Sequence, residues 1–359
     1  MTYFNIGDVA EHKDSLKSRK LIIPVFVPHM GCPHDCCFCN QRTISGQTEA
    51  PTRESVIAAI KSYKDIAGNY GSVEIAFYGG SFTAIPLKQQ DVLLKAAQEG
   101  CKALDFRPDF RVSTRPDYID EEILCYLKDN GVKTIELGAQ SMCDDILKLS
   151  GRGHLSQDTV SAAALIRKFG FVLGIQTMPG LPGSNRDTDI ETAEKVIAIK
   201  PDIVRIYPTL VIKGTDLERM LLSGEYKPLS LTDAIDICAE ITFMYERAGI
   251  KVIRTGLQSS DNISSDGDVV AGPCHPAFGE LVKSKMALVF MEDGIRQAAS
   301  SGLWQGRLFG TGVKIKFVDG IVNVSVPAKM LSQFVGQKRC NVISLEKMEY
   351  VNKVFIDYK

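Results

Sequence analysis

A chain of 359 residues that is 45% hydrophobic, 24% charged and 8% aromatic has the balance of a folded globular protein, which argues against a disordered chain, a collagen-like repeat or a membrane bundle. With 43 acidic against 42 basic side chains the net charge is −1, so bulk charge lays down no broad basic footprint and leaves only a local patch open. The length suits two domains, or one barrel with an appendage. Met1–Lys20 carries seven charges of mixed sign without an apolar run, so it does not read as a signal peptide. Leu21–Met30 contains Pro24 and Pro28 and is too short to span a bilayer. The expected address is the cytoplasm, with no membrane partner.

The first predicted strand, Leu21–Val27, runs into a loop dense in cysteine. A cytoplasmic compartment keeps thiols reduced, so the ten cysteines of the chain are not explained as disulfides. Cys101, Cys125, Cys143, Cys238, Cys274 and Cys340 are scattered and read as small buried hydrophobes. Cys32, Cys36, Cys37 and Cys39 instead crowd into Pro-His-Met-Gly-Cys-Pro-His-Asp-Cys-Cys-Phe-Cys-Asn-Gln, a loop by its prolines and glycine. Cys32, Cys36 and Cys39 can converge on three corners of an iron–sulfur cube, leaving the fourth iron without a protein ligand. A structural zinc site is the alternative and would recruit a fourth ligand from Cys37, His29 or His34, but no second Cys/His pair lies at zinc-finger distance. The fourth, proline-followed cysteine of electron-transfer ferredoxins is absent.

Further along, strand and helix alternate. Ser72–Tyr78, Phe110–Thr114, Lys133–Leu137, Phe171–Thr177 and Asp202–Tyr207 are short runs rich in Val, Ile and aromatics, as buried parallel strands are. Ile190, Ala193 and Ile197 form a helical stripe, as do Ala234, Ile235, Cys238, Ile241 and Tyr245. Gly131, Gly170 and Gly249 stand where helices should stop, and Asp120, Glu121 and Glu122 open one. Counting Leu21–Val27, six β/α units argue for a parallel sheet, either a barrel or a doubly wound open sheet. The cysteine loop directly after the first strand favours the barrel, whose chemistry sits at the carboxyl ends of its strands.

After about Ser260 the texture changes. Asp261–Gly272 is polar and reads as a boundary loop. Val313–Val318, Asp319-Gly320 and Ile321–Val326 predict a hairpin closed by an Asp-Gly turn, with Val342–Leu345 and Lys353–Tyr358 as further strands. The expected division is an N-terminal extension at 1–20, a barrel at 21–260 and a C-terminal cap at 261–359.

Polar or glycine-bearing phrases recur where the strands should end. They are Tyr78-Gly79-Gly80-Ser81; Ser113-Thr114-Arg115-Pro116-Asp117-Tyr118; Gly138-Ala139-Gln140-Ser141, followed by Gly151-Arg152-Gly153-His154; Gln176-Thr177-Met178-Pro179-Gly180-Leu181-Pro182-Gly183; and Arg205-Ile206-Tyr207-Pro208-Thr209. Taken singly, each is as well explained by a loop cap or a hydrogen bond at the barrel rim.

Cys-x3-Cys-x-Phe-Cys, with an aromatic just before the third cysteine, resembles the signature of the radical S-adenosylmethionine enzymes. The order of strand-end phrases over roughly residues 20–285 is similar to the branch containing the catalytic subunit of Elongator and the oxygen-independent coproporphyrinogen oxidases. The resemblance implies an α/β fold, a six-unit partial (β/α) barrel, carrying a small C-terminal β-rich or α+β domain. It implies a 4Fe–4S cluster on Cys32, Cys36 and Cys39, with S-adenosyl-L-methionine chelating the open iron. Phe38 and the backbone at Asn40 would then lie near the adenine, and Gly79, Gly80 and Ser81 near the methionyl amino group. Gln140 and Arg152 would contact the cofactor, Arg152 through its carboxylate, with Gln176 near the ribose; Ser113 and Arg115 complete the expected cofactor-binding set. Ser113 stands where relatives often have glutamate, and Ser81 replaces the glutamate of the wider Gly-Gly-Glu pattern.

Kinship with the Elongator subunit makes an RNA base, in tRNA, the first expectation for the substrate, with a small molecule or a non-catalytic iron–sulfur or RNA-binding scaffold as rivals. A one-electron donor of the flavodoxin or ferredoxin type is implied. Acetyl transfer is not carried over, because no acetyl-CoA phosphate loop is found after the barrel. Ala271-Gly272-Pro273-Cys274-His275-Pro276 is either a linker or a second functional loop, in which Cys274 or His275 donates a proton or hydrogen atom; with Tyr207 they are the candidate catalytic residues.

Overall fold

The computed structural model describes residues 20–33, 36–45, 49–257, 263–264 and 267–358. The expected N-terminal extension lies outside them except for Lys20, as do His34 and part of the loop at 261–272. Two compact units divide the chain: one runs to Ala234 and resumes over Ile250–Pro276, and the other takes Ile235–Gly249 and everything from Ala277. The division is interleaved rather than a single cut. No described helix is long and apolar enough to cross a membrane.

The first unit is built on seven parallel strands: β1 Lys20–Phe26, β2 Ser72–Tyr78, β3 Asp109–Thr114, β4 Val132–Gln140, β5 Val172–Thr177, β6 Ile203–Ile206 and β8 Lys251–Thr255. They lie side by side in chain order, with a two-residue β7, Val211–Ile212, set aside to pair antiparallel with β9, Val269–Ala271. This sheet is a parallel half-barrel, with one strand more than the six expected. Residues Lys251–Thr255 carry two positive charges among five residues, which masks the apolar signal; what makes them a strand is pairing with β6, where Val204 faces Val252.

Helices return the chain from each strand end to the next strand start. Glu121–Asp129 begins where the Asp120 carboxylate accepts the Ile123 N–H at 2.8 Å, with Glu121 and Glu122 in the first turn where the helix dipole favours them. Arg186–Ile199 begins at Asn185, whose side-chain oxygen accepts from the N–H groups of Asp187 and Thr188 at 2.9 and 3.1 Å. Strand faces turned toward these helices are apolar and closed: Ile23, Ile75, Phe77 and Ile135 are fully buried, with the Phe77 ring 4.9 Å from Phe82 and 6.4 Å from Phe110.

In the second unit, β10 Leu303–Leu308, β11 Thr311–Val318, β12 Ile321–Val326 and β13 Lys353–Tyr358 form a four-stranded sheet in chain order, antiparallel except for β12 with β13. The expected hairpin is β11–β12, and both turn residues, Asp319 and Gly320, take the positive φ its turn requires. One face of the sheet is buried through Val313, Ile315, Val322, Val324 and Val354. The helix Phe278–Ser301 packs there, with Phe290 meeting Trp304 edge-on at 4.9 Å. Neither that helix nor β10 was anticipated. Val342–Leu345, expected as a strand, is the end of a helix, Cys340–Leu345; a four-residue apolar run reads equally as either, and here it buries Val342 and Leu345 one helical turn apart.

Candidate active site at the strand ends

The cysteine loop leaves β1 and is fixed on both sides by backbone hydrogen bonds. His29 and Val27 donate to the carbonyls of Gly79 and Tyr78, Ser81 donates to Met30, Cys37 donates to Ser150 and Leu217 donates to Cys37, all between 2.7 and 3.2 Å. Glycine is required at two points of this seam. A Cβ on Gly80 would stand 2.4 Å from the Val27 carbonyl oxygen, and one on Gly31 would stand 2.3 Å from that of Ser81. The close approach at Gly80 is thus made by the cysteine loop itself, which the Gly-Gly pair lets sit flat on the end of β2.

A cavity of about 490 Å³ opens above these strand ends. The loop contributes Cys32, Cys36, Phe38 and Cys39 to its wall, and the end of β2 contributes Tyr78, Gly79, Gly80 and Ser81. Ser113 and Arg115 line it from the end of β3, Gly138 and Gln140 from β4 with Arg152 after it, and Gln176 and Met178 from β5. Arg205 and Tyr207 follow from β6 and Arg254 from β8. Asn40, Cys274 and His275 are not part of this wall. Asn40 ties its helix down, accepting from the Thr43 N–H at 3.2 Å and donating to the Lys213 carbonyl at 3.3 Å. Cys274 packs beside Leu210, Ile212 and Ile263.

Burial raises the pKa of the Cys32 thiol, and the nearby Cys36 raises it further; the same two causes push Cys39 up to about 12. The sulfurs are met by donors: Arg152 Nη1 lies 3.2 Å from Cys36 Sγ and Gln41 Nε2 lies 3.4 Å from Cys39 Sγ. Arg152 also donates to the Gly138 carbonyl at 2.6 Å, while its Nε is buried without a hydrogen-bond partner. Cys37 turns away into an apolar cluster with Ile146, Leu181, Leu217 and Tyr226, and His29 Nε2 accepts the Gln41 N–H at 3.0 Å. Neither therefore completes a closed zinc site, and no described group of three ligating side chains suits a single ion. Three thiols on one wall, with cationic and amide donors at two of them, fit an iron–sulfur cube that accepts hydrogen bonds and keeps one iron for another ligand.

Across from the sulfurs the wall is polar and tightly held. Ser81 Oγ and Thr114 Oγ1 are 3.0 Å apart, and Ser81 Oγ accepts the Arg115 N–H at 3.1 Å. The Arg115 guanidinium forks onto Asp117 at 2.9 and 2.8 Å. Gln140 is a non-glycine residue at φ 66°, a conformation the sheet must hold in place, and its Oε1 accepts from Gln176 Nε2 at 3.0 Å. The loop after β5 is anchored at Gly180, whose N–H reaches Asp189 at 3.1 Å and whose carbonyl accepts from the Tyr226 hydroxyl at 2.6 Å.

From the floor of the cavity, a chain of charges absent from the sequence expectations runs across the sheet interior. Lys20 Nζ is 3.4 Å from Glu74; Arg111 forks onto Glu74 at 2.9 and 2.8 Å and reaches Glu136. Arg205 holds Glu136 at 2.7 and 3.1 Å and donates to the hydroxyls of Tyr78 at 2.8 Å and Tyr207 at 3.1 Å. Glu74 is 0% exposed and Glu136 4%. Burial alone would lower the pKa of Arg205, but Glu136 and the tyrosines hold it above its usual value. The signal was one charged residue inside each apolar run, as in Val-Glu-Ile, Phe-Arg-Val, Ile-Glu-Leu and Val-Arg-Ile, at inward-pointing positions.

Two family models match the chain in tandem: the Radical SAM superfamily over residues 26–196 and the Radical SAM C-terminal domain over residues 201–287. Among curated proteins, the chain is 28% identical over 255 residues to a tRNA uridine(34) acetyltransferase of Methanocaldococcus jannaschii, covering 60% of this chain and 47% of the relative. It is 29% identical over 201 residues to Elongator complex protein 3 of Bos taurus, covering 51% and 37%. The chain thus spans about half the length, or less, of these curated relatives. An N-terminally truncated Elp3 of Methanocaldococcus infernus has the same fold, with a TM-score of 0.61, 20% identity, and coverage of 94% of this chain and 93% of that one.

Proposed function

Because this chain belongs to the radical S-adenosylmethionine superfamily of enzymes, we propose that Cys32, Cys36 and Cys39 hold a 4Fe–4S cluster open to S-adenosylmethionine, and that the substrate is an RNA base in tRNA. The observation that carries the reading is the single cavity on which the three thiols and the ends of β2 to β6 converge. When bound, the two cofactors supply a 5′-deoxyadenosyl radical after one electron arrives from a flavodoxin- or ferredoxin-type donor.

The chain's own part is placement and exclusion. Arg152 and Gln41 hydrogen-bond two of the ligand sulfurs, and the Arg152 guanidinium offsets thiolate charge. Gly79, Gly80 and Ser81 present backbone at the end of β2, where the amino-acid portion of S-adenosylmethionine would lie, with Ser113, Arg115 and Arg152 nearby. Gln140 and Gln176, bonded to each other, would face its ribose, and Phe38 its adenine. Arg205, braced by Glu136, keeps Tyr78 and Tyr207 directed into the remaining space.

Two observations support an RNA substrate. The named relatives are tRNA uridine(34) acetyltransferases and Elongator complex protein 3. The cavity wall also carries four arginines, Arg115, Arg152, Arg205 and Arg254, against one glutamate, Glu136. The reading predicts a brown protein after anaerobic reconstitution that releases 5′-deoxyadenosine with dithionite. Release by a Cys32→Ala, Cys36→Ala or Cys39→Ala variant would refute the cluster assignment. Comparing tRNA nucleosides by mass spectrometry between a deletion strain and its parent should show one modified nucleoside lost; identical profiles would refute the tRNA substrate.

A further inference from the structure

The four-stranded sheet of the second unit has one face covered by its own helices and one open face, and the open face is basic. Its rows can be read from the strand register. Leu303, Lys316, Asn323 and Phe355 stand side by side across β10 to β13; Gln305, Lys314, Ser325 and Asp357 form the next row, with Arg307 and Gly312 beyond. On the other side come Val318, Ile321 and Lys353. This face therefore carries Arg307, Lys314, Lys316 and Lys353 against Asp357, with Lys353 also paired to Glu346 at 3.4 Å, in a chain whose net charge is −1. Lys316 and Arg307 are exposed, and Phe355 is 50% exposed.

We propose that this open face binds the RNA substrate outside the active site, the lysines contacting backbone phosphates and Phe355 stacking against an unpaired base. The inference rests on the RNA reading above and adds to it a surface that neither family model covers, since those end at residue 287. Three features suit a single-stranded segment. Lys314 and Lys316 project from the same face of β11 about 7 Å apart, placing two cations along one line of phosphates. The polar groups between them, Gln305, Asn323 and Ser325, offer both donors and acceptors to base edges. At the free edge of β13, a cleft lined by Asn323, Arg339, Phe355 and Asp357 adds an aromatic face next to a guanidinium, the pairing on which unstacked bases settle.

The experiment is fluorescence anisotropy of labelled tRNA with the reconstituted holoenzyme across a salt series, comparing the parent with Lys314→Ala/Lys316→Ala and with Phe355→Ala. Thermal melts verify that the variants fold. The double lysine variant should bind about tenfold or more weakly at 0.1 M salt, and its log–log salt slope should be shallower by roughly 1.4, two lost phosphate contacts on a single strand. Phe355→Ala should weaken binding with the slope unchanged. Parent-like affinity and slope in folded variants would overturn the docking face while leaving the RNA substrate standing. A parent that releases 5′-deoxyadenosine but binds no tRNA would overturn both, and would make a protein partner the better occupant of this face.

Discussion

Two sheets in this molecule carry lines of charge, and they handle them in opposite ways. In the half-barrel, Glu74, Arg111 and Glu136 are buried and Arg205 nearly so, and each meets an opposite charge within hydrogen-bond distance. On the C-terminal sheet, Lys314 and Lys316 face solvent, with no carboxylate beside them in their rows closer than Asp357. A buried charge has to be answered from within, so it fixes neighbouring side chains and can hold Tyr78 and Tyr207 at the floor of a cavity. An exposed charge is answered by water, contributes little to the fold and remains available to a ligand.

The sharpest way to break the contrast is to cut the buried chain at its middle. Glu136→Gln removes the carboxylate that Arg205 depends on, while Arg111 keeps Glu74. Breaking one side of a buried pair typically costs about 3–5 kcal/mol, because a charge stays behind without compensation. Urea unfolding of the parent and variant should show a loss of that order. A loss below about 1 kcal/mol would mean that water already screens this chain.

Asp189 is the intermediate case, a buried carboxyl with no cation beside it. Burial raises its pKa to about 7, and the hydrogen bond from the Gly180 N–H offsets this only in part. The folded-state value lies above the unfolded one, so between about pH 4 and pH 7 the folded chain holds more proton than the unfolded chain. Stability from this group is complete below about pH 4 and is lost as pH rises through 7, by about 4 kcal/mol. Asp189→Asn should flatten that part of the stability–pH curve. An unchanged slope would show that Asp189 stays ionised and paired with something else.

What the sequence revealed follows the same division. Hydrophobic runs and turn residues announced β1 to β6 and the β11–β12 hairpin because both signals are local. The cysteine spacing announced the loop for the same reason. β8 escaped because Lys251 and Arg254 interrupt its pattern, and only the pairing partner β6 makes those residues a strand. The Glu74–Arg205 chain escaped because charged partners 25 to 69 residues apart in sequence cannot be matched without the register of the sheet. The Asn40 side chain is held in a similarly non-local way, donating to the Lys213 carbonyl 173 residues further along the chain.

A smaller effect tests charge at a half-exposed helix end. Asp120 accepts the Ile123 N–H at 2.8 Å at the start of the helix Glu121–Asp129. Asp120→Ala should cost about 1 kcal/mol, and Asp120→Asn, which keeps the acceptor, clearly less. Equal losses would assign the effect to charge against the helix dipole rather than to the cap itself.

The smallest expected effect is the one on which the contrast finally rests. If the lysines of the open sheet face are answered by water alone, Lys316→Ala should change folding stability by less than about 0.5 kcal/mol. It should do so equally at low and high salt, since no described carboxylate pairs with Lys316. A clear, salt-sensitive loss of stability would place Lys316 in an internal ion pair and make the open face a structural surface like the barrel interior. Neutral stability leaves the charge of Lys316 free for a phosphate, and tRNA binding then becomes the property in which its removal should register.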